Sequence, residues 1–351
     1  MTVMKRIGLM VALMAAGALF AAPPPVKKGP LIGARPTAKT VPRAAVKAKP
    51  APKKTTASKP AGLGAGPMAP YRGAIALDAD TGRVLAADHA ERTAYPASVT
   101  KLMTFLLVLE DVKAGRYALG DRVAGSVYSE NMEPSRVGLL SGQTMTVEDL
   151  LYAIMIKSAN DGAAALAEHA AWIGSGGKGP VPPTAQSRAL VQAFVARMNR
   201  RAKELGMTST RYESPNGLPP ARGEARGFDT STAADIAKLC RRIVAFGSAA
   251  LRYTSSATKT VTGGDGKPLM LATHNYFLPG SHDKDGHARP VPGCDGLKTG
   301  YTVASGSSIA LTAAHGGRRV IVVVLGSAGR HEREAAAGRL LRDALGAVSM
   351  W

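Results

Sequence analysis

Three short polar strings have the residue types that an acyl-transfer site needs. They are Ser-Val-Thr-Lys at 98–101, Ser-Ala-Asn at 158–160 and Lys-Thr-Gly at 298–300. In such a site a serine attacks a carbonyl carbon to form a covalent acyl-enzyme, and a lysine takes the hydroxyl proton. The sequence therefore predicts a serine nucleophile whose general base is a lysine.

The first string lies at the start of a predicted helix. Ser98 lies two residues after Pro96 and precedes residues 102–112, which are apolar nearly all round, as is typical of a buried helix. A three-residue step places Ser98 and Lys101 on one helical face. The helix N-terminus favours negative charge on the serine oxygen, and desolvation lowers the pKa of Lys101 enough to make it a base. The alternative is a simple helix cap, with Lys101 reaching solvent.

Two further Ser-x-x-Lys pairs, at 175/178 and 256/259, have less suitable surroundings. The first lies in a glycine-rich loop that fixes neither side chain. The second lies in a predicted strand, where a three-residue step sends the two side chains to opposite faces. The pair at 98 and 101 is therefore the candidate.

The second string interrupts two predicted apolar helices, 147–156 and 162–171. Ser158 and Asn160 are polar, and buried polar groups are costly unless they find hydrogen-bond partners. A functional pocket supplies such partners, and so does an ordinary helix–helix turn. Both interpretations remain open from the sequence.

The third string, Lys-Thr-Gly at 298–300, is predicted to lie on an edge strand of a sheet. Gly300 lets a substrate backbone approach closely, and a peptide along that edge would make strand-like hydrogen bonds. Lys298 and Thr299 offer a cation and a hydroxyl to a carboxylate. The alternative is a plain edge strand with a surface lysine.

Two predicted β-hairpins at opposite ends of the chain must support these strings. Residues 73–77 and 83–86 flank an Asp-Thr-Gly turn, and 308–312 and 320–325 flank a Gly-Gly turn. Helices are predicted over 102–112, 147–156, 162–171, 189–205, 232–244 and 332–345. The expected fold is an α/β domain with an antiparallel sheet from both chain ends, flanking helices, a helical lobe and a cleft between the lobes.

From about Tyr71 onward the chain resembles the serine-type D-alanyl-D-alanine carboxypeptidases, which are low-molecular-mass penicillin-binding proteins. The strings that carry the resemblance are Tyr-Pro-Ala-Ser-Val-Thr-Lys-Leu-Met-Thr at 95–104, Lys-Ser-Ala-Asn-Asp-Gly at 157–162 and Asp-Gly-Leu-Lys-Thr-Gly-Tyr-Thr at 295–302. The resemblance implies the penicillin-binding/β-lactamase-like transpeptidase fold.

The resemblance also implies catalytic roles for four residues. Ser98 would attack the carbonyl between two D-alanines, and Lys101 would take its proton. Ser158 would relay a proton to the leaving amine, and Asn160 would hold the substrate amide. Water would then hydrolyse the acyl-enzyme, without a metal or an organic cofactor.

Five further residues are implied to bind substrate. Lys298 and Thr299 would hold the terminal carboxylate beside Gly300, and Arg333 would lie near the same end. The backbone N–H of Tyr301 would join that of the nucleophile in an oxyanion hole.

The implied substrate is the D-alanine-terminated stem pentapeptide of peptidoglycan, and β-lactams would acylate Ser98. A D,D-endopeptidase that cuts peptide cross-links is the alternative enzyme. A non-catalytic wall-binding protein that uses a basic tail is the alternative from another class. A class A β-lactamase is disfavoured, because the local string Glu-Ser-Pro-Asn at 213–216 lacks the usual spacing of its deacylating glutamate.

The N-terminal region predicts export. Residues 1–22 read as a signal peptide with Lys5 and Arg6 ahead of an apolar run, although an uncleaved membrane anchor has the same features. Residues 23–70 contain eleven prolines and read as a disordered basic linker before a catalytic domain at 71–351.

The formal net charge of +20 is concentrated in this region, since residues 1–70 hold twelve of the 45 Lys and Arg and none of the 25 Asp and Glu. In an exported protein this predicts contact of 23–70 with an anionic wall polymer or membrane surface, rather than with nucleic acid. The expected location is the periplasm or cell-wall space. Cys240 and Cys294 either pair or remain separate thiols.

Overall fold

The computed structural model describes residues 70–183 and 185–346. The strands are β1 (Gly73–Asp78), β2 (Val84–Asp88), β3 (Arg122–Ala124), β4 (Thr144–Thr146), β5 (Thr258–Thr262), β6 (Pro268–Ala272), β7 (Cys294–Thr302), β8 (Gly306–His315) and β9 (Arg318–Ser327). The helices are α1 (Lys101–Lys113), α2 (Val127–Glu130), α3 (Val147–Tyr152), α4 (Asn160–Gly174), α5 (Ser187–Glu204), α6 (Ala233–Val244), α7 (Ser248–Leu251) and α8 (Arg330–Leu345). A 3₁₀ helix at Ala97–Thr100 precedes α1, and a π-helical turn at Ala153–Lys157 follows α3.

A five-stranded antiparallel sheet in the order β2-β1-β9-β8-β7 joins the two ends of the described chain. Its central strand β9 is apolar over 320–325 because both of its faces are buried. Ile321 and Val323 belong to one hydrophobic core, and Val322 and Val324 to the other. The sheet predicted from two terminal hairpins is thereby confirmed.

Helices cover both faces of this sheet. On one face α8 packs against β9 and β8, with Ala337 and Leu341 fully buried. On the other face α6 packs against β9 and β1, and α1 packs against α4 and α6. Leu102 and Phe105 of α1 are fully buried, as expected for a helix that is apolar nearly all round. The predicted α/β fold with a helical lobe is confirmed.

Two predicted helices differ from the observed ones at functional strings. The helix expected to open at Ser98 begins as the 3₁₀ turn, and regular α-helix starts only at Lys101. The helix expected over 147–156 is α3 followed by the π-helical turn. Both irregularities occur where a polar string enters or leaves an apolar helix, and hydrophobic periodicity does not report them.

The predicted signal peptide, 1–22, lies outside the described residues, as does all but the last residue of the predicted linker, 23–70. Among the helices that the structure does describe, none has both the length and the hydropathy needed to cross a bilayer. Cys240 and Cys294 are separate buried thiols, and burial raises the pKa of both. These cysteines therefore pack as small apolar side chains.

Candidate active site

The turn that carries Ser98 is held between two glycines. A methyl group on Gly300 of β7 would lie 2.7 Å from the Pro96 carbonyl oxygen and 3.1 Å from the Ser98 nitrogen. A methyl group on Gly217 would lie 1.9 Å from the Ala97 carbonyl oxygen, and Gly217 has a φ of +84°. Gly300 therefore lets β7 pack directly on the turn, whereas the sequence suggested only that it admits a substrate backbone.

Lys101 lies at the centre of the site. Its Nζ is 2.9 Å from Ser98 Oγ, 2.7 Å from Asn160 Oδ1 and 2.7 Å from the Asn216 carbonyl oxygen. The side chain is fully buried, which excludes the solvent-reaching alternative. Burial, and after it the charge of Lys298, hold the pKa of Lys101 well below its usual value. The site thus favours a neutral amine in contact with the serine hydroxyl.

Ser158 and Asn160 form a corner between helices. Ser158 ends the π-helical turn with a φ of 64°, in the left-handed region that few residues other than glycine adopt. Asn160 opens α4, and its Nδ2 donates to the Glu133 carbonyl oxygen at 3.1 Å while its Oδ1 accepts from Lys101. The string is therefore both a helix–helix turn and one wall of the site.

The Lys-Thr-Gly string lies in β7, which is the last strand of the five-stranded sheet. Lys298 is 2% exposed and its Nζ donates to the Thr299 carbonyl oxygen at 2.8 Å, so it is not a surface lysine. Burial first, and the charge of Arg333 second, lower the pKa of Lys298 to about 7. Tyr301 is 64% exposed at the end of the strand.

Arg333 comes from the first turn of α8 and is 5% exposed. One of its terminal nitrogens pairs with Glu334 at 3.0 Å, but its buried Nε has no hydrogen-bond partner among the described residues. Burial lowers the pKa of Arg333. The positive charges of Lys298 and Arg333 would both attract an anion that binds near Lys298.

Sequence reasoning missed a buried carboxylate, that of Asp229, which forms hydrogen bonds with two segments of the site. Asp229 accepts hydrogen bonds from Thr100 Oγ1 at 3.0 Å, from the Ser214 backbone nitrogen at 2.9 Å and from Ser214 Oγ at 2.8 Å. It thereby ties the end of the serine turn to the segment that carries Asn216. The sequence singled out Asn216 only as the last residue of the Glu-Ser-Pro-Asn string, and no sequence signal marked Asp229.

In the structure Lys101 thus contacts both Ser98 and Asn160, and Ser158 precedes Asn160 by two residues. Gly300 packs against the serine turn, and the charge of Lys298 acts on Lys101.

The other substrate-binding candidates lie next to this group. Thr299, which is 8% exposed, and Tyr301 adjoin Gly300 in β7. Arg333 is linked to this group through its effect on the pKa of Lys298.

A family model described as D-alanyl-D-alanine carboxypeptidase matches residues 65–329, a range that contains all three strings. D-alanyl-D-alanine carboxypeptidase DacF of Bacillus subtilis is 30% identical over 270 residues, which cover 77% of this chain and 61% of the relative. The chain thus spans about three fifths of the length of the first curated relatives that it matches.

Two other similarities bear on the substrate and the fold. The D-alanyl-D-alanine endopeptidase of Escherichia coli is 27% identical over 76% of this chain and 74% of the relative. The crystal structure of a peptidoglycan synthesis regulatory factor (PBP3) from Streptococcus pneumoniae superposes with a TM-score of 0.66. It shares 27% sequence identity over 79% of this chain and 71% of that one.

Proposed function

Because the chain belongs to the D-alanyl-D-alanine carboxypeptidase family, we propose that it is a serine D,D-carboxypeptidase acting on D-alanine-terminated stem peptides of peptidoglycan. The observation that carries this proposal is the position of Lys101 Nζ, which is 2.9 Å from Ser98 Oγ and in contact with two carbonyl oxygens. A neutral amine has two N–H donors for the two carbonyl oxygens. Its lone pair is then free for the serine proton.

Acylation follows from this geometry. Lys101 takes the Ser98 proton as Oγ bonds to the carbonyl carbon between the two D-alanines. The oxyanion of the tetrahedral intermediate accepts hydrogen bonds from the backbone N–H groups of Ser98 and Tyr301. When the carbon–nitrogen bond breaks, the proton passes from Lys101, by way of Ser158, to the amine of the departing D-alanine. Asn160 holds the substrate amide.

Deacylation uses the same base. Lys101 is neutral again once D-alanine has left, and it takes a proton from a water molecule that attacks the acyl carbon. The bond between the acyl carbon and Ser98 Oγ breaks, and Oγ takes the proton back from Lys101, which regenerates the free enzyme. A β-lactam forms an acyl-enzyme on Ser98 by the same first step, which makes β-lactams covalent inhibitors.

The carboxylate of the terminal D-alanine binds at β7, next to the α8 N-terminus. Lys298 and Arg333 provide two buried cations, and Thr299 provides a hydroxyl. Burial lowers the pKa of both groups, but only Lys298, with a pKa of about 7, is partly deprotonated near neutral pH, and an arriving carboxylate favours its charged form. Binding of the substrate therefore stabilises the charged state of the site that holds it.

The KM for a D-alanine-terminated peptide is expected to rise by about tenfold or more between pH 6.5 and 8.5. Lys298 is charged in the free enzyme below its pKa of about 7 and loses its proton as the pH rises through that value. A Lys298→Arg variant keeps its charge and should show a flat KM over the same range. A flat KM in the wild type would contradict carboxylate binding by Lys298.

Release of D-alanine from a stem pentapeptide tests the proposed function. Ser98→Ala provides the blank. The alternative, a D,D-endopeptidase, is supported by the similarity to the Escherichia coli endopeptidase, of which the match covers 74%. Cleavage of a purified cross-linked dimer without D-alanine release would favour that alternative. A protein that binds wall polymer but turns over neither substrate would favour the non-catalytic class.

We further propose that residues 1–22 direct export to the periplasm or cell-wall space, and that residues 23–70 contact an anionic wall polymer or membrane surface. The support is the charge, since residues 1–70 carry twelve cations and no acidic side chain. Deletion of 23–70 should preserve turnover and weaken association with the wall or membrane fraction. Unchanged fractionation would contradict this role.

A further inference from the structure

A large cleft opens beside the reaction centre and away from β7. It has a volume of about 1210 Å³ and lies between α2, the start of α5 and the segment 214–226; we call it the α2–α5 cleft. The two carbonyl oxygens that accept hydrogen bonds from Lys101 belong to residues connected to the walls of this cleft. Asn216 lines the cleft itself, and Asn160 donates to the carbonyl oxygen of Glu133, which also lines it.

The position of the cleft indicates which part of a peptide substrate would bind in it. Lys298, Thr299 and Arg333 do not line the cleft. On the proposed function, these residues hold the carboxylate that follows the scissile bond. The peptide that precedes the scissile bond must extend away from these three residues, and the cleft reaches the reaction centre through Asn216, whose carbonyl oxygen contacts Lys101. Its volume exceeds that of typical small-molecule sites, so it accommodates several residues.

The walls of the cleft are held in place by polar contacts. Glu168 is fully buried and accepts hydrogen bonds from Ser126 Oγ and Ser187 Oγ, both at 2.8 Å. Ser126 is the N-cap of α2 and Ser187 begins α5, so one carboxylate fixes the two elements relative to each other. On the opposite wall, Arg226 donates to the Leu218 and Pro219 carbonyl oxygens.

The charges in the cleft are unbalanced. Arg226 pairs with Glu224 at 2.9 Å, and Glu133 pairs with Arg136 at 3.0 Å. Arg188 and Arg222 also line the cleft, and neither pairs with a carboxylate within the described part of the chain. Arg188 instead lies over the ring of Tyr128, at 5.9 Å from the ring centroid. Two guanidinium groups are therefore available to a ligand.

An exposed apolar side chain lies in the same cleft. This side chain is that of Val127, which begins α2 and is 66% exposed. A peptide lying in the cleft would cover this side chain. A carboxylate of the bound peptide would then accept two parallel hydrogen bonds from the guanidinium group of Arg188 or Arg222.

We infer that the α2–α5 cleft binds the residues that precede the scissile bond, and that Arg188 and Arg222 select peptides carrying a carboxylate there. This inference rests on the proposed function for the direction of the substrate. It goes beyond that function because it assigns a specificity for acidic peptides to two residues outside the reaction centre.

The test compares two pentapeptides that end in D-alanyl-D-alanine and differ only in having glutamate or glutamine at the second position. Affinity is measured on the Ser98→Ala protein, which needs no turnover, and kcat/KM is measured with active Ser98. Arg188→Ala and Arg222→Ala should each weaken binding of the glutamate peptide by about fivefold and leave the glutamine peptide unchanged. Added salt should weaken binding of the glutamate peptide more than binding of the glutamine peptide.

The matched control is Arg83→Ala, since Arg83 is exposed between β1 and β2 at the other edge of the sheet. Equal affinity for the two peptides, or loss of the preference in the control, would overturn the inference. D-alanine release judges the proposed function separately. Release with no preference between the peptides would leave that function standing and refute the role of the cleft.

Discussion

Replacing Lys101 with alanine is expected to slow acylation of Ser98 by about 10²–10⁴-fold, the range typical of general acid–base catalysis. Lys101 Nζ is the amine that lies 2.9 Å from Ser98 Oγ, and burial holds its pKa well below the usual value. Without this amine, no side chain among residues 70–183 and 185–346 forms a hydrogen bond with the Ser98 hydroxyl and could accept its proton. The measurement is the rate of adduct formation with a labelled penicillin.

The Lys101 variant needs a fold control, because its loss leaves Asn160 Oδ1 and the Asn216 carbonyl oxygen without a donor. Unpaired buried groups cost about 1–3 kcal/mol each. Lys101→Met, which fills more of the space, and the melting temperature of both variants separate a missing base from a damaged fold. Lys203→Ala, at an exposed position of α5, is the matched control. Ordinary acylation in either folded Lys101 variant would refute its assignment as the base.

The second large effect is expected from a single methyl group on the sheet. Gly300→Ala places a Cβ 2.7 Å from the Pro96 carbonyl oxygen and 3.1 Å from the nitrogens of Ser98 and Val99. Neighbouring backbone atoms must then move, which shifts the serine turn relative to β7. Displacements of about 1 Å in a catalytic constellation can cost 10²-fold, so we expect a loss of about that size in the acylation rate.

Gly120→Ala provides the comparison for this substitution. A Cβ on Gly120 meets no atom within 4 Å, so the same chemical change should leave acylation and stability unchanged. The two variants are compared by acylation rate and by melting temperature. A folded Gly300→Ala protein with the wild-type rate would show that close packing of β7 on the turn is not needed for activity.

The contact between Ser98 and Lys101 could be predicted because both residues lie in one short string. Ser98 and Lys101 are three residues apart, and their separation on a helical turn follows from local geometry alone. The terminal hairpins also follow from local patterns, and the continuous apolar run at 320–325 is typical of a strand that is buried on both faces. Each of these features is encoded within about ten neighbouring residues.

The remaining parts of the site depend on long-range contacts. The Asn216 group in contact with Lys101 is a backbone carbonyl, which any residue carries, so the side chain gives no signal. Nothing in the local sequence distinguishes Asp229 from other aspartates, because its partner Thr100 lies 129 positions away in the chain. Gly300 was recognised as a place of close approach, but only the packed structure shows that the serine turn is what approaches it.

The covalent state of Ser98 after exposure to a labelled penicillin tests the central claim most directly. The claim is that the buried amine of Lys101 makes Ser98 a nucleophile, and it predicts one label per chain, located by peptide mapping at Ser98 and absent from Ser98→Ala. An unlabelled wild-type protein, or label retained in full by Ser98→Ala, would contradict it.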